Sequence, residues 1–218
     1  MKFRSIPFLA GVTPSGGGGG GALSVVNTAV DEAFGSVMTA TIPAVGSGNS
    51  LVVMTYNPNI EITVDGGVED ASIAGLSGAY HHFFTIENIT DSRTSVTIRS
   101  FVSGTPSGTL LNFFIAEVDA SAIMPVSTVQ VEGPGSGNTI SVGYTTTVAD
   151  ALALAQAAYD NGPTVTTGTS GAVAVDQPSG YGALLYHESV GATGAKTLTG
   201  TMSATRSRST AVLAYAAG

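Results

Sequence analysis

The chain contains no cysteine and no tryptophan. Without cysteine there is no disulfide framework, no thiol nucleophile and no thiolate zinc site, and the redox compartment stays open. Without tryptophan the commonest sugar-stacking side chain is missing. Charge is also scarce. Only 10% of the 218 residues are Asp, Glu, Lys or Arg, against roughly 25% in an average globular protein. Basic residues are the scarcest, 7 against 15 acidic, for a net charge of −8. Such a surface repels phosphate backbones, so no nucleic-acid partner is expected. No stretch approaches the ~20 apolar residues of a membrane span, so no membrane partner is expected either.

What is present is apolar material, 43% of the chain. That suffices for one large β domain or two small ones at roughly 150 residues per domain. Ser and Thr number 23 and 27. They suit uncharged, exposed strand faces, but they leave sheet edges without the Lys and Pro that usually guard them.

The N-terminal segment reads MKFRSIPFLAGVTPSGGGGGGALS. Lys2 and Arg4 ahead of residues 6–12 faintly resemble a secretory signal. Pro7 and Gly11 interrupt the apolar run, and no small-x-small site follows closely. Residues 16–21 are all glycine. A phosphate cradle would need a Lys-Ser/Thr step opening a helix, which is absent, so the composition is that of a flexible linker. Ordering each such residue costs about 1–2 kcal/mol, so an outside partner is needed to hold the segment. Residues 1–12 therefore read as a docking arm. Lys2 and Arg4 are its charges, and Phe3, Ile6, Phe8 and Leu9 are its apolar anchors. Without the two cations the remainder holds 5 basic against 15 acidic residues, a net −10. The arm is a basic hook on an acidic body.

From residue 36 onward, short β-like runs alternate with Gly, Pro, Asn, Asp and Ser. Six strands are expected at 37–45, 51–56, 61–64, 80–87, 95–101 and 110–118. The run LLNFFIAEV is almost continuously apolar, as a strand buried on both faces would be. The second half repeats the plan at 139–148, 151–159, 164–167, 181–189, 196–202 and 210–216. Tyr56 before Asn57-Pro58-Asn59 matches Tyr159 before Asp160-Asn161-Gly162, a turn in both places. The segment ADALALAQAAYD has helix-forming residues, but Leu152 and Leu154 alternate and its counterpart LVVMTY is strand-like. A strand is expected there. The expected fold is an all-β antiparallel sandwich of about twelve strands, jelly-roll or lectin-like, in two pseudo-repeated halves. Its boundaries are 1–35 for the arm and linker and 36–218 for the sandwich, with halves at 36–120 and 138–218. Residues 119–137 link the halves.

Few constellations suggest chemistry. His81 and His82 are adjacent on a strand, so they point to opposite faces and cannot share one metal. His187 beside Glu188 has the same difficulty, and no HxH or HExxH spacing exists. Pro134-Gly135-Ser136-Gly137 lacks the strand-turn-helix context of a nucleophile elbow. Asp65, Glu69 and Asp70 around Gly66-Gly67 are a weak Ca²⁺ candidate whose spacing does not match an EF-hand loop. Asn88-Ile89-Thr90 is a glycosylation sequon of the kind that arises by chance. Arg206 and Arg208 form the only basic pair outside the arm, more in keeping with solvated residues than with partner contacts. No catalytic residue, metal ligand or cofactor is expected.

The arm, the Gly-rich joint and the runs NSLVVMTY, TSVTIRSF, LLNFFIAEVDASA, TISVGYTTTVADALALA and STAVLAYAA resemble the β-sandwich modules of tailed-phage virion proteins. In those modules a strand ending in a Glu-Val pair, here Glu117-Val118, precedes a Thr-rich strand, here at Thr145 to Thr147. The resemblance spans about residues 36–217 and implies a non-enzymatic virion protein without a cofactor. It points to a capsid decoration protein held by its N-terminal arm, with other virion proteins as partners. The alternative it leaves is a tail fibre or tail-tip subunit touching host glycans, with Tyr56, Tyr80, Tyr159 and Tyr181 as contacts. A homo-oligomer is expected, a trimer by analogy with virion spikes.

Overall fold

The computed structural model describes residues 22–58, 61–159, 163–177 and 180–218. Among them the regular elements are β-strands, apart from one 3-10 turn at Leu76–Gly78. The first half supplies β1 (Val25–Gly35), β2 (Val37–Thr41), β3 (Asn49–Asn57), β4 (Glu61–Val64), β5 (Val68–Ala74), β6 (Tyr80–Ile89), β7 (Ser95–Val102), β8 (Thr105–Pro106) and β9 (Thr109–Val118). The second supplies β10 (Ile123–Pro125), β11 (Gln130–Thr146), β12 (Leu152–Tyr159), β13 (Val165–Thr167), β14 (Ala172–Asp176), β15 (Gly182–His187) and β16 (Gly194–Ala217). The fold is all-β, and the strand pairs are antiparallel.

The two halves share one pairing plan. In the first, a sheet ordered β1-β9-β3-β6-β5 faces a smaller sheet of β2-β7-β4 with β8 at its side. In the second, the 24-residue β16 does the work of both β7 and β9. Its leading part, from Gly194 to Met202, pairs with β13 and with the end of β11, as β7 pairs with β4 and β2. Its trailing part pairs with β12 and with the start of β11, as β9 pairs with β3 and β1. Strands β15 and β14 then stand where β6 and β5 stand in the first half.

Three apolar cores follow from this plan. Leu51, Val53, Phe84 and Ile115 pack on Met38 and Ile98 inside the first half. Ala153, Ala155, Leu185 and Val212 pack on Ile140, Tyr144 and Leu198 inside the second. The third core joins the two large sheets, with Val52, Met54, Phe83 and Phe114 facing Leu152, Leu154, Leu184, Leu213 and Tyr215. Strands β3, β9 and β12 are therefore covered on both faces, which is why their sequences run apolar without a polar alternate.

That double burial explains the Ala-rich segment. Leu152 and Leu154 face the other half, while Ala153, Ala155 and Ala157 face the inner core. The period of two is a strand period, and it overrides helix propensity once each buried Leu contributes about 1.5–3 kcal/mol.

Two expectations need correction. The sheets begin at Val25, not at residue 36, because β1 pairs along its length with β9. Residues 119–137 are not only a link, since they hold β10 and the start of β11. The expected count of about twelve strands is roughly right: β1, β5, β8, β10 and β14 add to the expected set, and the expected strands at 196–202 and 210–216 run together as β16, giving sixteen among the described residues. Most of the added strands lie at sheet edges, where burial demands least apolar pattern.

Candidate functional site

The expected docking residues Lys2, Phe3, Arg4, Ile6, Phe8 and Leu9 lie outside the described residues. The structure does describe how the chain joins the sheets after them. Leu23 is only 3% exposed and belongs to the core between the halves. The Ser24 N–H donates to Asp119 Oδ1 at 2.8 Å, and the Asp119 N–H returns a bond to the Ser24 carbonyl at 3.2 Å. The Val25 N–H donates to Glu188 Oε1 at 2.6 Å. Asp119 follows β9 and Glu188 follows β15, so one carboxylate from each half grips consecutive residues of the incoming chain. Bonds to charged acceptors contribute about 1.5–3 kcal/mol each. Beside this junction Gly218 donates to the Ala122 carbonyl at 2.9 Å.

A groove of about 420 Å³ lies next to the junction, between the β5–β6 edge of one half and β10 of the other. Val68, Met124 and Pro125 give it an apolar rim, and Asp70, Thr85 and Glu87 line it with polar groups. Val68 is 69% exposed and Met124 48%. Strand β5 breaks register between Glu69 and Ala71, so Asp70 is an inserted residue with no cross-strand partner. Such a bulge re-aims a side chain. Here the Tyr215 hydroxyl donates to Asp70 Oδ2 at 3.0 Å and Thr85 Oγ1 donates to Oδ1 at 3.2 Å. Burial pushes the Asp70 carboxyl above its ordinary value, with Glu87 and Glu69 adding to the rise and the two hydroxyl donors opposing it. Glu87 Oε1 accepts the Ile123 N–H at 2.9 Å, which ties β10 to β6.

Asp65, Glu69 and Asp70 do not converge. Asp65 pairs with Arg99, and Glu69 lies 2.8 Å from His82 Nδ1. The other ion pairs among the described residues are Arg93–Asp91 and Arg208–Glu132. Neither Asp70 nor Glu87 belongs to one. Two carboxylates under an apolar rim suit a cation carried on an apolar stem, such as a Lys or Arg side chain.

Between the halves runs a buried polar seam. His81 Nε2 and Ser209 Oγ share a hydrogen bond of 2.9 Å, and both residues are buried. The Tyr56 ring lies 4.5 Å from the His81 ring, and Gln156 donates to the His82 carbonyl at 3.3 Å. Burial, with the neighbouring His82 adding to it, pulls the His81 pKa down to about 3. A Ser–His contact can serve nucleophilic catalysis when the base is oriented by a third group and reaches substrate. Here Nδ1 has no hydrogen-bond partner among the described side chains and the pair is sealed from solvent. The geometry holds two sheets together.

Other singled-out residues fall into the frame. Arg208 is buried and donates to Glu132 at 2.6 Å, contrary to the expected solvated pair, while Arg206 donates to the Thr205 carbonyl at 2.9 Å. Tyr159 is buried and Tyr56 donates to the Leu76 carbonyl at 3.0 Å, so neither hydroxyl is presented to a glycan. Glu117 is buried and accepts from Asn27, from Asn49 at 2.6 Å and from the Gly46 N–H at 2.8 Å. Pro134 to Gly137 lies within β11, not at an elbow. Sequence reasoning missed Asp119 and Glu87 and weighed Glu188 only as the neighbour of His187, because the partners of all three are remote in the chain.

No protein family, no curated protein and no solved structure matches this chain.

Proposed function

We propose that the chain is a non-enzymatic structural protein of a virion, a capsid-decorating module that its N-terminal segment anchors to a larger shell. The observation that carries this reading is the grip of Asp119 and Glu188 on Ser24 and Val25. A tether transmits position only if its root is fixed, and this root is fixed to both halves at once. The segment beyond it combines two cations with four large apolar side chains in its first nine residues, the composition of a docking peptide.

The opposite end of the same sheet supports contacts between copies. Phe34 is 74% exposed, and its cross-strand partner Leu110 and nearby Val37 are exposed too. From Val25 to Gly35 the strand covers roughly 33 Å at 3.3 Å per residue. This apolar end therefore lies far from the anchor, where neighbouring modules of a homo-oligomer would meet.

Deleting residues 1–12 tests the proposal. The shortened chain is expected to keep its sheet signature by circular dichroism and to stop co-sedimenting with the particles it decorates. Full occupancy by the shortened chain would overturn the anchoring role.

A further inference from the structure

We propose that the two halves form a clamshell, hinged at the junction end and clasped at the opposite end by His81, Gln156 and Gln177, and that the clasp opens in acid while both sandwiches stay folded.

The hydrogen bonds that cross the seam differ in kind between its two ends. At the junction end the N–H groups of Val25 and Ile123 donate to Glu188 and Glu87, and the Tyr215 hydroxyl donates to Asp70. Each acceptor is a carboxylate, and such bonds are roughly twice as strong as neutral ones. The covalent crossing from β9 to β10 runs through the same end. Six residues separate Val25 from Asp31, Glu87 from His81 and Tyr215 from Ser209, roughly 20 Å of strand at 3.3 Å per residue. At that distance the crossing bonds are neutral. His81 Nε2 and Ser209 Oγ share one of 2.9 Å, Gln156 Nε2 donates to the His82 carbonyl at 3.3 Å, and Gln177 Nε2 donates to the Asp31 carbonyl at 2.6 Å.

Each of these three side chains uses one polar atom and buries the other unmet. His81 Nδ1, Gln156 Oε1 and Gln177 Oε1 have no hydrogen-bond partner among the described residues. Asn112 lies in the same row of the sheet as Tyr56 and His81, and its Oδ1 is in the same condition. An unmet buried polar atom costs at least as much as a neutral hydrogen bond contributes. The clasp therefore gains little by closing, whereas the hinge bonds leave no such remainder. Water entering a parted clasp would satisfy all four atoms at once. The seam then opens at this end below the free energy of global unfolding.

His81 makes the clasp respond to acid. Around it stand Tyr56 from β3, Ser209 from β16, Gln156 from β12, Ile73 from β5 and, next in β6, His82, whose Nδ1 is engaged by Glu69. Burial, with His82 adding to it, holds the His81 pKa of the closed form at about 3, against 6.5 in water. Between those values the open form binds the extra proton, so the open fraction rises as pH falls. The rise is about tenfold from pH 7.5 to 5.5. Gly75 offers a wedge. A Cβ there would meet Ser209 Oγ at 2.8 Å and the rings of His81 and Tyr56 at 2.9 Å.

The full chain has no cysteine, so single buried thiols can report the opening. Sheet amides stay hydrogen-bonded when the halves part, which makes thiols the better probe. Ala211 lies in the seam two residues from Ser209, Ala116 lies in the seam two residues from the junction end of β9, and Ala155 lies in an inner core. All three are fully buried. Each is replaced by Cys, and its reaction with 4,4′-dithiodipyridine is timed at pH 7.5 and 5.5, relative to the same chain unfolded at that pH. Ala211→Cys is expected to react at least tenfold faster than the other two and to gain about tenfold more at pH 5.5. Adding His81→Gln should abolish that gain, and adding Gly75→Ala should raise the Ala211→Cys rate at pH 7.5 while the Ala155→Cys rate holds. Equal rates at the three positions would mean that only global unfolding admits the reagent, and would overturn the proposal. Ala116→Cys reacting as fast as Ala211→Cys would overturn the hinge, and a gain in acid that survives His81→Gln would overturn the clasp. If Ala211→Cys alters the circular dichroism, Ser209→Cys, nearly the same size as the residue it replaces, takes its place with the same outcomes.

Discussion

His81 Nε2 and Ser209 Oγ meet at 2.9 Å across the boundary between the two halves, 128 residues apart in sequence and buried. This contact is one of a few polar bonds that cross a largely apolar interface. It fixes how one sandwich sits on the other, because a misaligned interface would leave both groups unpaired.

The contact gives stability a pH dependence. The folded pKa of His81 is depressed to about 3 from 6.5. The unfolded state therefore binds more protons between those values. The contribution is fully present above pH 6.5 and is lost as pH falls toward 3. At pH 4.5 the loss is about 2–3 kcal/mol. Denaturant titrations at pH 7 and pH 4.5 should show this drop in the native chain, and His81→Gln should remove most of it. The raised pKa values of Asp70 and Asp176 act with the opposite sign at the acid end, so the difference between the two proteins is the informative quantity.

Tyr215 and Asp70 make a second crossing bond, from β16 to β5. Tyr215→Phe removes a buried donor and should cost about 1–2 kcal/mol. It should also raise the Asp70 pKa further, since the phenol donates to the ionised carboxylate. Carboxyl chemical shifts followed against pH would show that rise. A fall would mean the hydroxyl does not stabilise the anion.

Close approach of the halves depends on Gly182. A Cβ there would meet Phe114 Cζ at 2.6 Å and the Ala157 carbonyl oxygen at 2.8 Å. Gly182→Ala should destabilise by about 1–3 kcal/mol through overpacking. Gly143→Ala makes a useful control, since its Cβ would find only the Lys196 carbonyl oxygen, at 3.8 Å. Thermal melts of the two variants should separate clearly.

The fixed root of the tether predicts a local effect. Glu188→Ala removes the acceptor of the Val25 N–H, leaving that amide without its charged partner. Its hydrogen exchange should accelerate at least tenfold, while Phe83 and Leu154 in the core keep their protection. Equal acceleration everywhere would mean that Glu188 supports the whole fold.

Much of this architecture was legible from residue pattern. Ser95 to Phe101 alternates cleanly, and Leu111 to Val118 is mostly apolar because both its faces are covered. The matched halves could be read from the order of turns alone. Strand β1 escaped because Asp31 and Glu32 interrupt its apolar residues at a sheet edge, where solvent tolerates them. Strand β5 escaped because the inserted Asp70 breaks its period of two. The groove was half visible, since Asp70 stood out in an acidic loop. Its partner Tyr215 lies 145 residues away, and that pairing exists only once sheets from both halves are stacked. The same holds for Glu188 and Val25, 163 residues apart.

The central claim is that the module hangs from its N-terminal junction, and an image of decorated particles tests it most directly. At about 8 Å resolution the long sheets can be oriented as rigid bodies. The account predicts that the end carrying Leu23, Asp119 and Glu188 faces the shell, with a thin connection entering it there and Phe34 and Leu110 pointing toward neighbouring copies. Density in which the Phe34 end sits on the shell, or in which the protein lies only along a tail, would contradict it.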